Sequence, residues 1–248
     1  MRALPTRPVL HSEWIKIRSV RATLWSLAGI FLATVGVTVL ASATVGRAEA
    51  DDLGGDPLFG AFYGLNFGQI AALAFGATAF AGEFHNGALR VSLGAVPDRS
   101  RLFLSKAAVT GALALAAGIA TGFAGFLGGQ AFMGPYALGL GDPGALRAVV
   151  GSGIYLALMA LLAAGLTAVL RSGALVLGIL IPFVLIVSFV VGDMAGGAAS
   201  YLPDQAGQLV LYQHPPGALG PWTGLGVTAL WSAAALAAGW TVLRRRDA

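Results

Sequence analysis

Six stretches of this 248-residue chain, at 24–45, 59–81, 107–133, 147–170, 174–192 and 222–243, are apolar and almost free of charge. Arg147, at the edge of the fourth, is the only Asp, Glu, Lys or Arg within them. A helix needs about 20 mostly apolar residues to cross the hydrocarbon core of a bilayer. A charge at the bilayer centre costs at least about 2.5 kcal/mol, so runs this long and this clean are what spanning requires. The expectation is an all-α membrane protein with six transmembrane helices in a single transmembrane domain covering 1–248. Pro182 should kink the fifth span.

Composition agrees. Charged residues are 10% of the chain, hydrophobic residues 57%, and mean hydropathy is +0.80. A soluble domain carries about 25% charged residues, so this chain cannot cover its surface with polar groups. Its 36 glycines suit close helix packing in lipid. With no cysteine, disulfides, thiolate zinc sites and thiol catalysis are excluded.

An even number of spans puts both termini on one side, and the basic residues choose it. Arg2, Arg7, Lys16, Arg18 and Arg21 precede the first span. Arg90, Arg99, Arg101 and Lys106 lie between the second and third, Arg171 between the fourth and fifth, and Arg244, Arg245 and Arg246 after the sixth. Only Arg47 and Arg147 fall on the other face, while seven of the 11 acids lie there. The positive-inside rule places both termini in the cytoplasm. The net charge of +4 is thus a topology signal, and no nucleic-acid partner is expected. Ala48-Glu49-Ala50 resembles a signal cleavage site, but the apolar run before it exceeds the roughly 7–15 residues of a signal peptide, so cleavage is not expected.

Outside the spans, residues 8–21 have helical periodicity. Leu10, Trp14, Ile17 and Val20 recur at steps of three and four, with Glu13, Lys16 and Ser19 on other faces. Trp14, Lys16 and Arg18 suit an interfacial helix in contact with membrane lipid; the plainer reading is a flanking segment with anchoring charges.

The island Glu83–Lys106 holds a short helix with Leu89, Leu93 and Val96 on one face and Arg90 elsewhere. Gly94 and Pro97 stop it, and Asp98 or Ser100 caps the next helix. Glu83 is placed to cap the short helix or to pair with Arg90. The plainer alternative is a solvated hairpin whose arginines only set topology. On the other side, 193–221 reads as a re-entrant piece or a linker, with an apolar run from Ala206 to Tyr212.

Catalytic signatures are missing. His11, His85 and His214 each stand alone, without metal-ligand spacing, and Ser152 lacks the spacing of an intramembrane serine hydrolase. No GxxxxGK[ST] occurs, so ATP is not bound by that motif. Within the spans, Asn66 and Gln69 share a face, either lining a substrate path or bonding between helices. Gly60, Gly64 and Gly68, and again Gly118 and Gly122, form small-residue ladders that mark close helix contacts.

Three patches, in this order and spacing, resemble the membrane subunits of ABC-2 type transporters of the actinobacterial kind. They are Ser12-Glu13-Trp14-x-Lys16-x-Arg18-Ser19-Val20-Arg21, then Glu83-x-x-x-Gly87-Ala88-Leu89-Arg90 with Pro97-x-Arg99 and Lys106, and Arg244-Arg245-Arg246 after the last span. Tyr201-Leu202-Pro203 also fits, while Ala88 replaces the usual Thr. The resemblance implies a permease subunit in a bacterial plasma membrane, pairing with a second permease copy and two separate ATP-binding subunits. It implies no activity or cofactor on this chain, with ATP and magnesium held by the partner. It makes the 83–106 island a coupling helix, with Glu83, Leu89, Arg90, Leu93, Pro97 and Arg99 in the ATPase-docking loop. It implies export of a cargo that the apolar spans suggest is hydrophobic. The rival class is an ATP-independent carrier or regulatory scaffold. A carrier requires an ionisable residue inside the membrane, and the spans offer almost none.

Overall fold

The computed structural model describes residues 6–46, 55–84, 87–187 and 196–245. Among these every regular element is helical. Helix α1 (Thr6–Ser19) meets α2 (Arg21–Thr44) at Val20, whose extended backbone makes an elbow. A short α3 (Pro57–Gly60) and a turn precede α4 (Leu65–Ala81), which ends in the 3-10 turn Gly82–Phe84. Then come α5 (Ala88–Ala95), α6 (Arg99–Gln130), α7 (Ala145–Leu170), α8 (Gly173–Pro182), α9 (Pro203–Gln208) and α10 (Pro221–Arg245).

Among the described residues five helices are long and apolar enough to cross a membrane: Arg21–Thr44, Leu65–Phe84, Arg99–Gln130, Ala145–Leu170 and Pro221–Arg245. The sixth expected span, 174–192, begins as α8 and continues through a π-helical turn at Phe183–Val187; its last residues lie outside the described ones. The wide turn starts directly after Pro182, which lacks an N–H and crowds the carbonyl one turn back. The second span also differs from expectation. Residues 57–60 form a separate short helix, because Asp56 accepts from the N–H groups of Leu58 and Phe59, both at 3.0 Å, and so starts a helix too early to continue as the span.

The α7 helix is the axis. It is 67% buried over its most apolar window, against 17% for α2 at the periphery. Without a hydrophobic drive between helices in lipid, contact depends on small residues that let backbones approach. The ladders do this within the chain. A Cβ on Gly76 of α4 would sit 1.8 Å from the Ala160 carbonyl oxygen of α7, and one on Gly68 would sit 1.9 Å from Thr34 Oγ1 of α2. Gly118 and Gly122 of α6 meet Gly153 and Val149 of α7, whereas Gly60 meets nothing.

Side-chain contacts gather the basic segments at one end of the bundle. Arg99 donates to the Leu243 carbonyl at 3.0 Å, and Trp240 Nε1 to Ser100 Oγ at 3.1 Å. Arg171 lies over the Phe84 ring, and Lys16 reaches Glu83. The described part of the 193–221 segment is not a free strand of loop. Pro203, Asp204, Ala206 and Gly207 of α9 are buried between α7 and α10, and Thr228 Oγ1 donates to the Pro203 carbonyl at 2.7 Å.

Candidate functional site, a buried charge cluster at the basic end

Four ionised side chains from distant parts of the chain converge where α1, the end of α4 and the start of α6 meet. The buried face of α1 is Val9, Glu13 and Ile17, a repeat of four residues that runs down one side of a helix. Glu13 is wholly buried on it. Glu83 stands in the 3-10 turn after α4, and Lys106 two turns into α6; both are buried.

Lys106 Nζ bonds Glu13 Oε2 at 3.0 Å and Glu83 Oε1 at 2.8 Å. Lys16 Nζ bonds Glu13 Oε1 at 2.8 Å and Glu83 Oε1 at 2.9 Å. Ser92 of α5 closes the ring, donating to Glu83 Oε2 at 2.9 Å and accepting from Lys16 Nζ at 3.1 Å. Two cations and two anions cancel, and all four carboxylate oxygens are occupied. Lys106 also lies 5.9 Å from the centre of the Phe80 ring.

Buried charges are costly unless paired and fully hydrogen-bonded, and here each of the four has opposite charges within hydrogen-bonding distance. Half-burial alone would lower the pKa of Lys16. Its hydrogen bonds to Glu13 and Glu83, and their charges, outweigh that and raise it above the usual 10.5. Lys16 is therefore charged at every physiological pH.

Of Leu10, Trp14, Ile17 and Val20, only Ile17 lies on the buried face of α1. Trp14 and Val20 are exposed, as are Ile15 and Arg18, while the charged Glu13 turns inward. A buried ammonium needs carboxylates, so Lys106 supplies the reason for Glu13 to face inward.

Glu83 pairs with Lys106 and Lys16, not with Arg90. Within α5, Leu89 is buried and Leu93 half-buried, packed with Phe80, Phe84, Leu102 and Phe103. These two leucines fasten the short helix to the bundle, so its outward face is carried by Arg90, Val91 and Gly94 instead. Val91 is 77% exposed. Pro97 is exposed, and Asp98 Oδ1 caps α6 by accepting from Ser100 N at 2.9 Å and Arg101 N at 3.1 Å. The guanidinium of Arg99, by its bond to Leu243, holds the end of α10 against the start of α6.

At the opposite end, Gln69 accepts from the Tyr155 hydroxyl, and Gln208 Nε2 donates to Asn66 Oδ1 at 3.2 Å. Asn66 and Gln69 thus tie α4 to α7 and α9.

Sequence reasoning passed over Glu13, Ser92 and Lys106 as interacting groups. A usable signal existed: Glu13 is the only acid before residue 49, and Lys106 the last charge before a long apolar run. Among the described residues no group of His, Cys, Asp or Glu is arranged to hold a metal, and His85 lies outside them. The cluster is a joint that ties α1, the end of α4, the start of α6 and the short α5 to one another. No family model matches the chain, and no curated protein matches it.

Proposed function

We propose that the chain is the membrane-spanning permease subunit of an ATP-binding cassette exporter. In this reading it has six spans in a bacterial plasma membrane, with both termini in the cytoplasm. The α1 helix lies in the interface, and α5 is the coupling helix. A separate subunit binds ATP and magnesium and pushes on α5; a second permease copy completes the assembly. The cargo is hydrophobic.

One observation carries this reading. The α5 helix is bound through Ser92 to the same buried cluster that joins α1, the end of α4 and the start of α6. A force on its exposed face is therefore shared by all of them, as energy transfer into a chain without a nucleotide motif requires. A loop that served topology alone needs no such anchor.

The test uses the tagged full chain extracted from its native membrane. The expected result is a stoichiometric polypeptide carrying a GxxxxGK[ST] motif, lost with Val91→Asp while the permease stays folded. Val91 is the informative position because it is 77% exposed, whereas truncating Leu93 would loosen the helix as well. Isolation of a folded chain with no such companion overturns the reading in favour of an ATP-independent carrier or scaffold.

A further inference from the structure

The elbow between α1 and α2 encloses an open apolar groove lined by Trp14, Ile17, Leu24, Leu27 and Leu113, with Arg18 as its one charged lining residue. We propose that this groove holds one acyl chain of an anionic phospholipid, with the lipid phosphate on Arg18.

Three observations converge on that ligand. The first is shape. The groove measures about 240 Å³, below the roughly 300–1,000 Å³ of pockets that enclose a drug-sized molecule. It suits part of one chain, not a whole solute. The second is depth. Leu113 lies seven residues beyond Lys106 on α6, about 10 Å along the axis at 1.5 Å per residue. The groove thus descends from the charged end of the bundle into its apolar side, as a lipid tail does. Trp14, 43% exposed at the rim, is a residue type suited to the headgroup boundary.

The third is charge. Arg18 is exposed and makes no ion pair or hydrogen bond among the described residues. The nearest acid in sequence, Glu13, has both oxygens engaged by Lys16 and Lys106. No carboxylate lines the groove, and Arg21 opens α2 at the same elbow. The groove mouth is left positive, which selects an anionic over a zwitterionic headgroup.

The inference rests on the membrane placement of α1, not on an ATP-binding partner. A chain that retains the lipid but never meets an ATPase would sink the transport reading alone. The experiment is native mass spectrometry of the full chain in detergent, titrated with phosphatidylglycerol or phosphatidylcholine. One phosphatidylglycerol should stay bound per chain, in preference to phosphatidylcholine. Arg18→Gln should weaken its retention about fivefold, and Arg245→Gln, a basic change outside the groove, should not. Leu24→Trp, at a half-exposed position, should fill the groove and reduce retention of both lipids. Equal retention of the two lipids by the unaltered chain, or unchanged retention in both Arg18→Gln and Leu24→Trp, overturns the proposal. So does displacement by glycerol phosphate, which would mark a site for phosphate alone.

Discussion

At the basic end of the bundle, charge meets charge: Glu13, Lys16, Glu83 and Lys106 neutralise one another, three of them buried and Lys16 partly exposed. At the opposite end, lone charges meet backbone dipoles. Asp56 accepts from the N–H groups of Leu58, Phe59, Gln213 and His214, and Arg147 donates to the Tyr212 carbonyl. Beside them the amides of Asn66, Gln69 and Gln208 bond to one another and to Tyr155. The two ends should fail differently. Removing one member of an ion cluster strands another buried charge, whereas removing one neutral partner leaves only an unmet dipole.

The largest effect should come from Lys106→Met. It removes one of the two cations that hold Glu13 and Glu83, at an expected cost of about 3–5 kcal/mol. Thermal unfolding of the full chain in lipid nanodiscs measures it, and a loss below about 1 kcal/mol would show that the cluster is not the joint described. Asp56→Ala comes next, at about 1–3 kcal/mol, because several backbone N–H groups lose their acceptor at once. Its loss should fall on the connection between α3 and the 213–214 segment, which hydrogen exchange at those amides would locate. Tyr155→Phe should cost about 0.6 kcal/mol and no more than about 1.7, the mean and maximum for hydrogen bonds between membrane helices. If it matched Lys106→Met, the contrast between the ends would collapse.

Lys16→Met should have the smallest effect, about 0–1 kcal/mol, since this lysine is partly exposed and Lys106 still holds the acids. Added salt should shrink it further. Its pH dependence has a definite sign. The raised pKa of Lys16 means its contribution is complete below the ordinary 10.5 and fades as pH climbs through the raised folded value. The difference between wild type and Lys16→Met in melting experiments should stay constant from about pH 6 to about pH 9 and fall only beyond 10.5. A difference that changes near neutral pH would place another titrating group in control.

Much of the fold was legible because lipid imposes simple demands. Charge-free runs of spanning length mark α2, α6, α7 and α10 without reference to any partner. The caps at Asp98 and the turn at Pro97 are local chemistry, readable over three or four residues. The short helix Ala88–Ala95 was readable from its spacing, which puts Leu89 and Leu93 on one face, but that this face packs into the bundle was not. Nor was its relation to the rest. Glu83 is separated from Lys16 by 67 positions and from Lys106 by 23, and no periodicity links residues so far apart.

The N-terminal helix shows the limit most clearly. Its helical period was readable, but the period alone does not say which side packs on the bundle. Here Glu13 goes in and Trp14 stays out. A buried ammonium on another helix supplies the reason to bury a carboxylate. The long apolar runs, the basic residues set between them and the absence of a nucleotide motif are properties of the sequence alone, because bilayer thickness and the cost of a charge in lipid act on each segment independently. Which carboxylate meets which ammonium, and therefore which face of α1 and of α5 remains open to a partner, was decided only by the tertiary structure, since a buried charge can be satisfied only by groups brought to it from elsewhere in the chain.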